Sequence, residues 1–374
     1  MTDQPVIIEE RELTDGRRLG VVTLNAPRAL NALSLEMIEA LLPKLREWAK
    51  DPGLAAVWLD GAGDKAFCAG GDIVSLYRSM TESQGHPELA ERFFTEEYQL
   101  DYLIHTFPKP FIVWGNGVVM GGGLGLMGGA SHKVVTESAK IAMPEITIGL
   151  YPDVAGSWFL NRMPRRTGLF IGLTGAHMNA ADALFLGLGD RFITHNHHDA
   201  VLAALTEANW RDRPAQAVVG DVLRDYEEQS GNEKPESPVW NHFDAIQALT
   251  DADDLEGMVS NITGYAGDDP WLNRAAKTLA AGSPTSMALV YRQWQRSTHQ
   301  SLAEVFRQEL VLSVNCARLG EFAEGVRALL IDKDKQPRWR YPDLASMDSA
   351  WVERFYESPW GEGEHPLANL DSGS

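Results

Sequence analysis

Along the first two hundred residues, short apolar or alternating runs give way repeatedly to segments with apolar residues three and four apart. These are the side-chain periods of strand and helix. Strands are predicted over Val6 to Glu10, Leu19 to Leu24, Ala55 to Leu59, Ala66 to Cys68, Phe111 to Trp114, Lys133 to Thr136 and Lys140 to Ala142. Between them, helices are predicted over Ser34 to Ala49 with Ser34 as N-cap, from near Asp72, and over Glu88 to Ile104, Gly123 to Gly129, Asp153 to Arg162 and Asn179 to Leu186. Strands alternating with helices at this spacing predict an α/β fold. From Asp199 to Ile331 eight helical patterns follow with no strand between them, and no internal repeat is visible. The expected organisation is an α/β core over residues 1–200 and a mostly helical region over 201–374, with the polar Glu227 to Ser237 as a flexible connection.

Residues Phe111 to Ala130 carry no charge, a length that would span a bilayer. Eight of those twenty positions are glycine, which weakens both the transfer energy and the helix, so a buried strand, a glycine turn and a short buried helix are expected instead.

Composition narrows the function classes. The chain has 374 residues, 44% hydrophobic and 23% charged, enough to bury a large core. Its formal charge is −19, so a nucleic-acid partner would meet general repulsion, and an anionic ligand needs local cations or backbone N–H groups. Cys68 and Cys316 cannot form a disulfide framework and form no CxxC pair. The acidic N-terminus has neither a secretory nor a transit pattern, which points to a cytoplasmic protein with no membrane partner.

Four segments carry candidate chemistry. In Phe67-Cys-Ala-Gly-Gly-Asp72 a strand ends in two glycines before a helix start, leaving amides directed outward where they suit a developing negative charge. The plainer reading is a tight turn capped by Asp72, and Cys68, with no His or cation beside it, reads as a packing thiol. Gly115 to Gly125 resembles a dinucleotide fingerprint only loosely, with Met120 in place of a glycine. Its three consecutive glycines, 121 to 123, would let a ligand carbonyl reach the backbone, and two such turns converging would make an oxyanion hole. Glu145 lies among Ile141, Met143, Ile146, Ile148 and Leu150, so semi-burial should raise its pKa and suit it to acid/base or nucleophilic work. It and Asp153 both follow prolines and equally suit helix starts. Finally, Glu97 interrupts the apolar stripe of Phe93, Phe94, Leu100 and Ile104, where a carboxylate needs a partner or a task.

Other clusters fail their tests. His195, His197 and His198 read as a polar loop, the acidic run from Asp251 lacks the ligand pattern of an EF-hand, and neither a phosphate-binding GxxxxGK[ST] nor a serine-hydrolase GxSxG occurs.

Taken together, Asn25-Ala-Pro-Arg-Ala-Leu-Asn-Ala-Leu, Ala66 to Asp72, Asn116 to Gly123 and Met143 to Phe159 resemble the crotonase (enoyl-CoA hydratase/isomerase) superfamily. Within it, Phe93 to Tyr98, Gly149 to Leu160, Ser283 to Ser286 and Glu324 to Trp339 resemble the branch of 3-hydroxyisobutyryl-CoA hydrolases. The resemblance implies a spiral of β-β-α turns followed by a helical region that closes the site. It implies that Gly71 and Gly122 supply amides to a thioester oxygen, that Glu145 is the catalytic carboxylate, and that Asp153 and Glu97 contact the substrate. It also implies a place in valine catabolism, an acyl-CoA partner whose phosphates meet isolated cations such as Arg28 or Lys65, and no metal or redox cofactor beyond the coenzyme A of the substrate. The oligomeric state is left open, a homo-oligomer included. Where the hydratases of the family carry a first catalytic Glu this chain has Gly125, and Ala155-Gly-Ser-Trp158 departs from the glycine-rich run of the hydrolases, changing the shape of the acyl pocket. The alternatives are an enoyl-CoA hydratase or isomerase and a non-catalytic acyl-CoA-binding protein.

Overall fold

Val6–Glu12 (β1) and Arg18–Leu24 (β2) pair as an antiparallel hairpin, and every later strand of the main sheet adds in parallel. In this computed structural model, which describes residues 4–82 and 87–372, those strands are Leu54–Gly61 (β3), Phe111–Gly115 (β5), His132–Val135 (β7) and Arg191–Phe192 (β9), in the order β1-β2-β3-β5-β7-β9. The strands skipped, Ala66–Cys68 (β4), Val118–Met120 (β6) and Lys140–Ala142 (β8), form a second sheet of three. Each main-sheet strand β3, β5 and β7 is thus followed by a short strand of the second sheet, three β-β turns of a spiral. The repeat has no counterpart at the sequence level, because its turns share geometry while their side chains differ.

The chain folds as two compact units, one of Met1–Gly71, Leu100–Ile141 and Met178–Trp240, the other of Asp72–Gln99, Ala142–His177 and Asn241–Ser374. This differs from a single division near residue 200, and the reason lies in the packing. The helices His198–Glu207 and Ala215–Ser230 bury Leu202, Leu205, Val219 and Leu223 in one core with Trp58, Trp114 and Val134 of the main sheet. They therefore belong to the sheet unit. The second unit is helical, built on Glu88–His105 up to residue 99, Gly156–Asn161, Thr167–Thr174, Pro270–Ala281, Pro284–Arg296, Leu302–Leu319 and Glu321–Val326.

Local signals act as expected. Ser34 accepts the Met37 amide at the start of Leu35–Lys50, and Asn179 and Asp182 form a reciprocal cap on Ala180–Leu186. Phe111 to Ala130 holds the expected buried strand and the short helix Gly122–Gly128, but β6 lies between them where only a turn was expected, and among the described residues no helix is long and apolar enough to cross a membrane.

Two expectations are corrected. Residues 227 to 237 are tied down: the helix continues to Ser230, Glu227 pairs with Arg191, and Ser237 donates to the buried Asp182 at 2.5 Å. The histidines at 195 and 198 are not a polar loop. Trp114 donates to His195, and His198 lies 2.9 Å from the same Asp60 oxygen that accepts the Trp58 indole N–H, so these half-buried rings pack against the edge of the aromatic core.

Candidate active site

Within the first unit, the segment from Asn25 to Leu33 fastens the glycine turn after β4. Leu30 and Asn31 both adopt left-handed backbone, and the Asn31 side chain donates to Ala62 and Ala66 carbonyls while accepting the Ala26 amide. Leu33 then donates to Gly70 at 2.8 Å and bridges Gly71. Gly70 has φ +106°, a conformation closed to side chains. The turn after β6 presses against this one: a Cβ at Gly123 would overlap the Cys68 carbonyl oxygen, and one at Gly70 would crowd Met120. β4 and β6 pair in parallel, so Gly71 and Gly122 stand at the same end of two hydrogen-bonded strands. Gly122 opens its helix, where an amide has no intrahelical acceptor. Cys68 is fully buried, in keeping with a packing thiol, while Arg28 and Lys65 are exposed in this unit.

The predicted carboxylates lie in the second unit. Glu145 begins a single 3-10 turn, Glu145–Ile148, closed by Gly149 in left-handed conformation. Its side chain is buried, and among the described residues its Oε2 has no hydrogen-bond partner. Burial pushes its pKa well above the usual carboxylate range, and the charge of Asp153 pushes the same way. Asp153 is buried as well and its pKa is pushed up to about 6 by burial, against the pull of Tyr98, whose hydroxyl donates to Oδ2 at 2.6 Å. Glu97 is 2% exposed, on the apolar stripe where the sequence puts it, whereas Glu96 turns away to pair with Arg92.

Four residues that sequence reasoning gave no role, Glu309, Tyr98, Tyr151 and Ser313, complete this cluster. Glu309 is fully buried and its carboxylate accepts the amides of Ala155 at 2.7 Å and Ser157 at 3.0 Å. Tyr98 and Tyr151 both lie within hydrogen-bond distance of Ser313, at 2.7 Å and 3.0 Å, and Tyr151 donates to the Glu309 carbonyl. Burial and the Asp153 charge push the Glu309 pKa up to about 8. Glu309 was detectable by the argument that singled out Glu97: it interrupts the apolar stripe of Val305, Phe306, Leu312 and Cys316 on its own helix.

Residues 19–356 match the family model described as enoyl-CoA hydratase/isomerase. The chain belongs to this family. Enoyl-CoA hydratase/isomerase family proteins act on acyl-CoA substrates, and the β-β spiral with its helical unit is the crotonase fold. Among its relatives in the family, a protein of Danio rerio named 3-hydroxyisobutyryl-CoA hydrolase, mitochondrial, is 39% identical over 91% of this chain and 87% of its own length. The Homo sapiens protein of the same name is 34% identical over 95% and 89%. Two solved structures share the fold: a carnitinyl-CoA dehydratase from Mycobacterium thermoresistibile (31% identity, 97% and 100% of the two chains, TM-score 0.84) and an enoyl-CoA hydratase from Rhodobacter sphaeroides (33%, 95% and 98%, TM-score 0.81). The relatives' names overturn the expectation of a cytoplasmic protein. That expectation rested on the residue types of the first dozen positions alone, whereas the relatives so named match nearly the whole chain.

Proposed function

We propose that this family member hydrolyses a short-chain 3-hydroxyacyl-CoA, above all 3-hydroxyisobutyryl-CoA, to the free acid and coenzyme A, a step that fits valine catabolism. Glu145 carries the reading: a buried carboxyl with one oxygen unpartnered among the described residues is held ready for an incoming group. The names of the relatives at 34% and 39% identity support the same reaction.

Attack on the thioester carbon puts negative charge on its oxygen, which the Gly71 and Gly122 amides would stabilise by about 3 kcal/mol per donor. Glu145 either attacks to form an anhydride that water then cleaves, or takes the proton of an attacking water. In both routes one water is consumed, the C–S bond breaks and the thiolate leaves, to be protonated to the coenzyme A thiol. Asp153 would orient the 3-hydroxyl or the water, or pass the thiolate its proton, and Glu97 would share a hydrogen bond with one of these. The chemistry so written draws on no metal or redox group, and it leaves room for a homo-oligomer.

Hydration of an enoyl-CoA is the second reading, favoured by what the two solved neighbours are called. Against it stands Gly125, which leaves one Glu where paired-acid hydration uses two. Release of free thiol from 3-hydroxyisobutyryl-CoA decides between them. The parent should release it, and Glu145→Gln should bind the acyl-CoA yet release none. Hydration of crotonyl-CoA with no thiol from the 3-hydroxy ester would overturn the proposal, and a parent inert in both assays would leave only acyl-CoA binding.

A further inference from the structure

Four oxygen-to-oxygen contacts run in a line from Asp153 into the second unit. Tyr98 Oη lies 2.6 Å from Asp153 Oδ2 and 2.7 Å from Ser313 Oγ. Ser313 Oγ lies 3.0 Å from Tyr151 Oη, which in turn lies 2.8 Å from the Glu309 carbonyl oxygen. Tyr98, Tyr151 and Ser313 are each 0% exposed, so bulk water supplies none of the missing partners.

Each contact takes one proton between its two oxygens, so the line takes four. A hydroxyl carries one proton and a carbonyl none, which gives three from Tyr98, Ser313 and Tyr151. The fourth is the proton of Asp153 itself. With Asp153 ionised, Tyr98 donates to it and Tyr151 to the Glu309 carbonyl. The single Ser313 proton then serves Tyr98 or Tyr151, and one pair of oxygens is left without a proton. With Asp153 protonated on Oδ2 every contact is filled, each member donating to the next: Asp153 to Tyr98, Tyr98 to Ser313, Ser313 to Tyr151 and Tyr151 to the carbonyl. In a buried network the completed arrangement is the favoured one.

We propose that Ser313 is a positioning residue for Asp153, its hydroxyl turning from Tyr98 to Tyr151 when Asp153 takes up a proton and back when the proton leaves. The inference rests on the hydrolase reading for its place in the reaction and adds what stores the proton that Asp153 passes to the thiolate. No O–H bond in the line breaks, because Tyr98 and Ser313 rotate with their own protons. Over one turnover a proton from the water consumed replaces the one that leaves on the coenzyme A thiol. The titratable groups around Asp153 are Tyr98, with Glu97 beside it in the same helix, Glu145 and Tyr151 on either side in the chain, and Glu309 and Cys316 of Leu302–Leu319. Neutral substitutions at Ser313 and Tyr151 leave the charge of the others unchanged.

The test follows the Asp153 carboxyl by infrared titration of protein labelled with carbon-13 aspartate, its band assigned by difference from Asp153→Asn. Ser313→Ala takes two contacts from the protonated form and one from the ionised form. Tyr151→Phe takes the Ser313 contact from the protonated form alone, since both forms lose the bond to the carbonyl. In each variant Asp153 should titrate about 0.5–1 pH unit lower than in the parent. Hydroxyls fixed in one direction give a different result. Ser313→Ala would then raise the titration, by removing a donor that strengthens the hold of Tyr98 on the carboxylate, and Tyr151→Phe would leave it in place. A titration unmoved or raised in either variant would overturn the proposal, and since the measurement needs no turnover it stands apart from the hydrolase reading. With 3-hydroxyisobutyryl-CoA the acid limb of kcat/KM should move down by the same amount, and a limb that stays while the carboxyl moves would overturn the positioning role.

Discussion

Glu309 holds Ala155 by its amide at 2.7 Å and, with its other oxygen, the amide of Ser157, so that one buried carboxylate spans the turn that carries Asp153. That turn is strained: Val154 and Ala155 have φ of +52° and +67°. Both Glu309 and Asp153 bind protons more tightly folded than unfolded, since burial moves them from ordinary values of 4.5 and 3.8 to about 8 and about 6. Raised acid pKa values add stability below the unfolded values and lose it as pH rises through the folded ones. Glu309→Gln replaces one acceptor by a donor facing an amide, costing on the order of 1–3 kcal/mol at pH 5. The parent loses its Glu309 contribution between about pH 4.5 and 8, so the gap should narrow toward pH 8.5. Urea melts at the two pH values measure it, and a gap that widens refutes the assignment.

The same turn offers a stabilising change. Ala155 has a Cβ in the left-handed region, a conformation glycine adopts without that cost. Ala155→Gly should raise stability by about 0.5 kcal/mol or more if the Glu309 contacts persist. A drop in the urea midpoint would show that the Cβ contributes packing greater than the strain it causes.

Tyr98 sets where Asp153 titrates. Its hydroxyl bond to the carboxylate is the largest influence drawing that pKa down against burial. Tyr98→Phe removes the donor and leaves the ring, so the acid limb of kcat/KM should move to higher pH, by about one unit for a hydrogen bond worth roughly 1.4 kcal/mol. A limb that stays in place would mean that Asp153 does not govern the acid side of the profile.

Much of this was legible in the residues, and what was not has physical causes. The strands β1 to β5, β7 and β8, the Ser34 cap and the burial of Glu145 follow from period, cap chemistry and apolar neighbours. Helix Thr167–Thr174 was invisible because all eight of its residues are buried and it presents no polar face to set a period. The helix expected from Asp153 starts at Gly156, three residues late, because Glu309, far along the chain, takes the amides that an earlier helical turn would use. β9, two residues long, is too short for any pattern. The interleaving of the two units was hidden for a related reason: which face a helix covers is decided by partners distant in sequence, as Leu205 and Val219 are decided by Trp58 and Trp114.

Gly123 offers the sharpest test of the paired glycine turns. A Cβ there would overlap the Cys68 carbonyl oxygen, so Gly123→Ala must push the end of β4 from the start of helix Gly122–Gly128. Overpacking of this kind costs about 1–3 kcal/mol. If the Gly71 and Gly122 amides act together on one oxygen, the shift also removes a transition-state contact, and kcat should fall by about 100-fold or more. The comparison with Gly220→Ala separates the two effects, because a Cβ at that helical glycine meets no neighbour within 4 Å and should leave kcat at the parent value. A Gly123→Ala protein that melts lower but turns over at the parent rate would mean that the two amides do not share an oxygen.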